Sequence, residues 1–187
     1  FNVPLSPGGK IADDTRIRES LPTIQKILKD GGSVVLMSHL GRPNGKPAAD
    51  LRLQPVAFRL SELLGRPVRS LPESVGAEVE GDVFRMKPGE SALLENLRFH
   101  SEEEKNDPGF SKSLARLGTV YVNDAFGTAH RAHASTSGVT EHLKPCVAGF
   151  LMKKEIEYLG RILSAPARPF VAVFGGAKVS SKLSVLN

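Results

Sequence analysis

Apolar positions along this chain switch repeatedly between two patterns. In some segments they recur every three or four residues, which predicts a helix with one buried face. In others they form short continuous runs, which predict strands buried on both sides. Segments of the two kinds alternate, as they do when helices connect the strands of a parallel sheet. The pattern therefore predicts an α/β fold.

Four segments have the helical pattern. The first begins after Asp13-Asp14-Thr15, whose side chains suit a helix N-cap, and continues to Asp30. Pro22 lies inside it and lacks a backbone N–H, so we expect a kink or a later start. The other helices are predicted at a segment that stops at Gly65, at residues 108–117 and at residues 150–163.

Short apolar runs predict strands at residues 2–5, 34–37, 68–71, 91–94, 120–122 and 170–174. A segment rich in Pro and Ala, residues 164–169, is typical of a hinge. The strand and turn after it cannot bury a core alone, so we expect them to open a second domain that is truncated here. The predicted divisions are a domain at 1–149, an interdomain helix and hinge at 150–168, and the start of a second domain at 169–187.

Composition narrows the class of protein. The 187 residues are 40% hydrophobic and 24% charged, which is ordinary for a globular protein. No apolar run approaches the ~20 residues of a membrane helix. The single cysteine, Cys146, excludes an internal disulfide and favours a reducing, cytoplasmic setting. Because its neighbours are apolar, we expect Cys146 to be a small buried side chain.

The charge balance favours an anionic partner. Lys and Arg number 25 against 20 for Asp and Glu, giving a formal net charge of +5. The longest basic run is Lys153-Lys154, and aromatic residues are only 6% with no tryptophan, which is little for a surface that stacks bases. A basic nucleic-acid-binding module remains an alternative function.

The loops that follow the predicted strands carry the candidate chemistry. In a parallel sheet the carboxyl ends of the strands share one edge, where ligands bind. Three loops, residues 38–43, 95–100 and 123–133, each bring an arginine together with at least one histidine to this edge. An arginine fork binds phosphate through two hydrogen bonds. We therefore predict a cationic site for a small phosphorylated ligand.

The loop at residues 123–133 and the loop that begins at Gly175 also allow other interpretations. His130 and His133 are three residues apart, but no third ligand is evident, so we predict no metal site. Gly175-Gly176 precedes two lysines and suits a backbone approach to phosphate, although a plain strand-to-helix turn explains it equally well. A purely structural role for the basic residues, with no ligand, is a further alternative.

Several motifs resemble those of the phosphoglycerate kinase family. The most specific is the block Asn-Asp-Ala-Phe-Gly-Thr-Ala-His-Arg-Ala-His at residues 123–133. The resemblance implies two Rossmann-like domains, each a three-layer parallel sheet with helices on both faces. This chain would hold the N-terminal, phosphoglycerate-binding domain and the first strand and turn of the nucleotide-binding domain. Other matching segments, in the same order, are residues 2–4, 15–17, 38–43, 94–100, 103–108, 121–135, 149–154 and 174–180.

The resemblance also implies an activity. Members of the family are glycolytic kinases that transfer a phosphoryl group reversibly between 1,3-bisphosphoglycerate and ADP, giving 3-phosphoglycerate and ATP with Mg²⁺, as a hinge closes. The full-length protein is accordingly expected to be a cytoplasmic monomer with no nucleic-acid or membrane partner. The chain alone is expected to bind phosphoglycerate without turning it over.

The resemblance assigns roles to residues of both domains. Asn2 and Arg16 are expected to bind the glycerate end, and Arg16 also to face the phosphoryl group in transfer. The residues expected to bind the 3-phosphate end are His39, Arg42, Arg98 and Arg131. Those expected to bind the nucleotide phosphates are Gly176, Ala177, Lys178 and Lys182, of which Lys182 lies beside the moving group and is, with Arg16, catalytic.

The chain departs from the family pattern at two sites. The family's substrate-binding aspartate would stand just before Phe1. Ser181 occupies a position at which many members have an aspartate associated with the metal–nucleotide. We expect the second departure to affect how the metal–nucleotide is held.

Overall fold

The computed structural model describes residues 1–171 and shows alternating helices and strands. The strands are β1 (Val34–Leu36), β2 (Val68–Ser70), β3 (Ser91–Leu93), β4 (Tyr121–Asn123) and β5 (Cys146–Ala148). The helices are α1 (Thr15–Arg18), α2 (Leu21–Lys29), α3 (Gln54–Leu64), α4 (Ala77–Phe84), α5 (Ser101–Glu104), α6 (Pro108–Ala115), α7 (Val139–His142) and α8 (Phe150–Ser164). Short 3₁₀ turns lie at Ala49–Leu51, Leu97–Phe99 and Phe126–Thr128, and a π-helical turn lies at Ala134–Gly138.

The chain divides into two compact units, Phe1–Lys154 and Glu155–Asn187. The strands β1 to β5 all lie in the first unit. In the second unit, the part of the chain that the structure describes contains the remainder of α8. The boundaries predicted between residues 149 and 150 and between residues 168 and 169 stay predictions.

Within residues 1–171, the three strand pairs are all parallel. The order β1-β3-β2 places β3 at the centre of a three-stranded sheet, where Ala92 faces Val35 on one side and Arg69 on the other. Strands β4 and β5 form a second parallel pair, with Val122 beside Val147. Because these strands are parallel, the loops that leave the strands of each sheet emerge at the same edge of that sheet.

The side chains of β3 alternate between two hydrophobic cores. Leu93 belongs to a core that includes Ile24 of α2 and Leu60 of α3. Ala92 belongs to a second core, which includes Phe110 of α6. Since successive residues of a strand point to opposite faces, helices cover both faces of the sheet. This arrangement confirms the three-layer α/β fold class.

The first predicted helix is divided in two. Helix α1 ends at Arg18, and α2 begins at Leu21 with Pro22 in its first turn. Proline is tolerated there because the N–H groups of the first turn have no partner within the helix. The later start that the position of Pro22 predicted is confirmed, whereas one continuous helix is not.

The strand predicted at residues 2–5 is absent from the described structure. Leu5 makes only an isolated antiparallel bridge with Ile11. The chain reverses at Gly8 and Gly9, which have φ angles of 90° and 76°. The backbone hydrogen bonds on either side of this turn are therefore made locally, with Ala12 N donating to Pro4 O at 2.9 Å.

The sequence pattern also missed helices α4, α5 and α7 and strand β5. Helix α4 buries only Val79, so its periodicity is weak. Strand β5 is apolar but only three residues long, and all three are exposed. The strand predicted at 170–174 extends beyond the described residues.

The expectation of a buried Cys146 is wrong. The residue lies on β5, where all three residues are exposed, and its thiol donates to Leu143 O at 3.0 Å. Among residues 1–171, no helix is both long and apolar enough to cross a membrane.

Candidate functional site

The N-terminal segment and the loop after β1 meet at a single glycine. Gly41 N donates to Asn2 Oδ1 at 3.0 Å, and Asn2 O accepts a hydrogen bond from the Arg16 guanidinium. Gly41 has a φ of 63°, and a Cβ there would lie 2.7 Å from a methyl carbon of Leu51. Only glycine fits this conformation and this space, which explains its place between His39 and Arg42.

Arg98 joins the loop after β3 to the same glycine. Its Nη1 donates to Gly41 O at 3.2 Å, although the residue is only 5% exposed. Its Nε lies 3.4 Å from Glu104 Oε1 without hydrogen-bond geometry, and within residues 1–171 it has no hydrogen-bond acceptor. A buried donor without an acceptor costs about 1–3 kcal/mol, so this guanidinium is suited to receive an anion.

His39 is electrostatically coupled to two of the arginines. Burial lowers its pKa to about 3, and the positive charges of Arg98 and Arg131 lower it further in the same direction, as do the N-terminal amine and His133. Such effects require these groups to lie near one another. His39 is therefore a neutral imidazole at pH 7, in the electrostatic field of two arginines.

Arg131 lies on an exposed part of the loop after β4. Thr136 holds this loop by donating from Oγ1 to Arg131 O at 2.8 Å and by accepting from His133 N at 3.2 Å. Burial lowers the pKa of His133, and Arg98 and Arg131 add to the effect. His133 is thus neutral at pH 7, and its 3.8 Å separation from the Glu103 carboxylate is a contact rather than an ion pair.

The structure therefore brings most of the predicted substrate residues together. Asn2, Arg16 and Arg98 are joined through Gly41, while His39, Arg98 and Arg131 share one electrostatic environment. Arg42 follows Gly41 directly and is exposed. The four nucleotide residues Gly176, Ala177, Lys178 and Lys182 lie outside the described residues, as does Ser181.

His100, the histidine of the loop after β3, is turned to other partners. Its Nε2 lies 3.2 Å from Glu73 Oε2, and its ring packs on Phe110 with centroids 5.1 Å apart. The described residues also contain no group of three or more His, Cys, Asp or Glu arranged to hold a metal ion.

The comparison with known proteins decides the family. The family profile described as phosphoglycerate kinase matches residues 1–187. The chain is 61% identical over 187 residues to the phosphoglycerate kinase of Chloroherpeton thalassium and 62% identical over the same length to that of Moorella thermoacetica. In both cases the match covers 100% of this chain and 47% of the relative.

The chain belongs to the phosphoglycerate kinase family.

Solved structures agree with this assignment. The phosphoglycerate kinase structure from Coxiella burnetii matches with a TM-score of 0.85 and 43% identity, covering 99% of this chain and 46% of that one. The structure from Pyrococcus horikoshii matches with a TM-score of 0.86 and 38% identity over the same shares. The chain thus spans about half the length of the family members it matches.

The sequence interpretation missed the structural role of two buried carboxylates, Glu95 and Glu103, which accept hydrogen bonds from neighbouring segments of the site. Glu95 Oε1 accepts from Leu53 N at 2.9 Å, and Glu95 Oε2 accepts from Arg52 Nη1 at 2.9 Å. Glu103 accepts from both the N–H and the hydroxyl of Ser135, at 3.0 and 2.5 Å, and burial raises the pKa of its carboxyl. The available signal was a pair of polar residues, Glu95 and Asn96, directly after an apolar strand.

Two clefts of this chain lie beside the basic residues rather than over them. A cleft of about 560 Å³ is lined by Asn2, Leu40 and Gly41 among others. A larger cleft of about 880 Å³ lies between the Gly9 turn and α3, and none of the predicted substrate residues lines it. We base the site on the converging arginines, because a small multiply charged anion is held by charge and hydrogen bonds rather than by enclosure.

The pKa of His39 tests whether the side chain is buried and whether Arg98 and Arg131 lie near it. Unfolded, His39 has an ordinary pKa of 6.5, and in the fold its pKa is about 3. As the pH falls from 6.5 towards 3, the unfolded chain takes up a proton on His39 that the folded chain does not. The free energy of unfolding therefore falls over that pH range.

We expect the His39 ring signals in an NMR titration to stay unchanged between pH 8 and pH 5. In the Arg131→Ala variant the midpoint should rise, because one of the charges that opposes protonation is gone. A midpoint near 6.5 in the unaltered chain would contradict the burial of His39, and an unchanged midpoint in the Arg131→Ala variant would show that Arg131 does not lie near it.

Proposed function

We propose that the basic edge of this chain binds 3-phosphoglycerate and 1,3-bisphosphoglycerate, as one half of a phosphoglycerate kinase. The observation that carries the proposal is the convergence of Arg98 and Arg131 on a neutral His39, with a buried Arg98 N–H that lacks an acceptor. Membership of the family supports the identity of the substrate.

In this proposal each side chain meets a different part of the substrate. The 3-phosphate is bound by Arg98, Arg131 and Arg42 through charge-assisted hydrogen bonds, and neutral His39 donates one N–H without adding a fixed charge. Asn2 and Arg16 hold the glycerate end. Gly41 N donates a hydrogen bond to Asn2 Oδ1, and this bond fixes Asn2 beside the phosphate-binding loop.

The reaction needs positioning more than acid–base chemistry. An oxygen of the ADP β-phosphate attacks the acyl phosphorus, the bond from phosphorus to the carboxyl oxygen breaks, and 3-phosphoglycerate leaves as a carboxylate. No proton has to move, since the attacking and leaving oxygens are both anionic. Arg16 faces the phosphoryl group and stabilises the charge on its equatorial oxygens.

The nucleotide is assigned to the other half of the protein. We propose that Gly176, Ala177, Lys178 and Lys182 bind the phosphates of ATP or ADP, with Lys182 beside the moving group. Mg²⁺ enters with the nucleotide as part of the substrate. Ser181 supplies a hydroxyl in place of a carboxylate, so it would hold the metal–nucleotide without adding negative charge.

A small anion suits this surface better than nucleic acid does. Arginines away from the site are paired with carboxylates: Arg59 Nη2 lies 2.7 Å from Asp14 Oδ2, and Arg85 Nη2 lies 2.7 Å from Asp82 Oδ1. Such pairs interrupt the continuous basic stripe that a duplex requires. We accordingly propose a cytoplasmic enzyme, monomeric at full length, with no nucleic-acid or membrane partner.

A chimaera tests the proposed activity. Residues 1–187 would be joined to the remainder of the Moorella thermoacetica relative, which is 62% identical over this region. We expect phosphoryl transfer from ATP to 3-phosphoglycerate by the chimaera and none by the 187-residue chain alone. A folded chimaera that binds nucleotide but transfers no phosphoryl group would contradict the proposal, and the unaltered Moorella protein is the positive control.

A further inference from the structure

Asn96 is a completely buried amide that uses its full hydrogen-bonding capacity. The residue is 0% exposed. Its Oδ1 accepts from Leu40 N and from Arg98 N, both at 3.2 Å. Its Nδ2 donates to Leu40 O at 2.8 Å and to Leu51 O at 2.9 Å. Two acceptor positions and two donor positions are therefore all satisfied.

These four bonds join segments that are distant in sequence. Leu40 stands between His39 and Gly41 in the loop after β1, and Leu51 ends the 3₁₀ turn at the far side of that loop. Arg98 belongs to the loop after β3. The Asn96 side chain thus holds both ends of the loop after β1 against the loop after β3.

The backbone of Asn96 is itself fixed in place. Glu95 Oε1 accepts from Asn96 N at 2.8 Å and from Leu53 N at 2.9 Å. Ser74, fully buried, donates from Oγ to Glu95 O at 2.8 Å. The amide of Asn96 is therefore held on a rigid support, which is what an orienting group requires.

We propose that Asn96 is a positioning residue for the substrate site: it sets the spacing of His39, Gly41 and Arg98. This inference rests on the proposed function, because it assumes that the same groups bind phosphoglycerate. Arg98 Nη1 donates to Gly41 O at 3.2 Å, and the Asn96 amide is bonded to the backbone of Leu40, next to Gly41, and to that of Arg98, so this hydrogen bond depends on the spacing that the amide sets.

Asparagine is the side chain that these partners require. A carboxylate of the same shape keeps the two acceptor positions but loses both donors, and its charge then faces the carbonyl oxygens of Leu40 and Leu51. The carbonyls of buried Leu40 and of partly buried Leu51 would lose this partner, and the loops would separate to reach water.

The first test compares two buried polar substitutions in the 187-residue chain. We expect Asn96→Asp to weaken binding of 3-phosphoglycerate at least tenfold by calorimetric titration. Ser111→Ala is the matched control: Ser111 is also fully buried and loses one bond, to Asp107 O at 2.8 Å, away from the loops. Its affinity should stay within twofold of the unaltered chain. A folded Asn96→Asp chain with unchanged affinity would overturn the proposal.

The second test needs no variant, so it tests the positioning role of Asn96 even if the Asn96→Asp chain does not fold. Hydrogen exchange of the Leu40 amide reports opening of its bond to Asn96 Oδ1. If the substrate binds only the closed arrangement, 3-phosphoglycerate at 100 times its Kd should slow this exchange on the order of 100-fold. The Gly31 amide, which donates to Leu28 O at a helix end, should be unaffected.

Unchanged Leu40 exchange in a saturated chain would overturn the role of Asn96 and leave the proposed substrate intact. Failure of the unaltered chain to bind 3-phosphoglycerate at all would instead count against the proposed function. The two failures are therefore distinguishable.

Discussion

Replacing Arg131 by alanine should weaken binding of 3-phosphoglycerate to this chain by roughly 10- to 150-fold. A hydrogen bond to a charged group contributes about 1.5–3 kcal/mol, which corresponds to that range. Arg131 is exposed, and within residues 1–171 the hydrogen bond of its side chain is a 3.4 Å contact from Nε to His130 Nε2, so the fold should tolerate its removal. Calorimetric titration of both chains measures the loss.

Arg116→Ala is the matched control for this change. Arg116 is an exposed arginine whose Nη1 lies 3.4 Å from Glu80 Oε1, away from the site. Its loss lowers the net charge by the same amount. Equal weakening by the two variants would mean that the chain attracts the anion through its overall charge, and would contradict a specific site at Arg131.

Replacing Gly149 by alanine should lower the free energy of unfolding by about 1–3 kcal/mol, the usual cost of overpacking. A Cβ at this position would lie 2.2 Å from Asp124 Cγ. That carboxylate accepts from Met152 N at 3.0 Å in the first turn of α8, and Gly149 N donates to Asn123 O at 2.8 Å. The collision would therefore disturb the loop that also carries Arg131, and urea unfolding measures it.

Gly160→Ala, within helix α8 that follows Gly149, is expected to have the opposite effect. No other atom lies within 4 Å of a Cβ built there, so the substitution should raise helix stability by about 0.5–1 kcal/mol. If Gly149→Ala proved as stable as the unaltered chain, the close packing of Asp124 against the start of α8 would be refuted.

The fold class was predictable because its signals are local. The apolar run at residues 91–94 predicted β3, and the helix that stops at Gly65 was found where Val56 and Leu60 predicted it. Helix α4 was missed because it buries a single residue, so its sequence shows little periodicity. Strand β5 consists of apolar residues and yet is exposed over its whole length. Cys146, on this strand, was misjudged because apolar neighbours do not show whether a strand is covered.

The clustering of the candidate substrate residues was predictable in outline, but the groups that we propose to orient them were not. The arginines after β1 and β3 can be found from topology alone, since these parallel strands belong to one sheet and end at a common edge. Arg131 follows β4, which lies in the second sheet. The role of Asn96 depends on its bonds to Leu40 and Leu51, which are more than 40 positions away in sequence. Only the three-dimensional arrangement shows that the amide lies between them.

Calorimetric titration of the 187-residue chain with 3-phosphoglycerate at low ionic strength tests the central claim most directly, with inorganic phosphate as the control. The account predicts saturable binding that is clearly tighter than that of phosphate, because Asn2 and Arg16 hold the glycerate end while the other cations hold the phosphate. Binding no tighter than that of phosphate, by a chain shown to be folded, would contradict it.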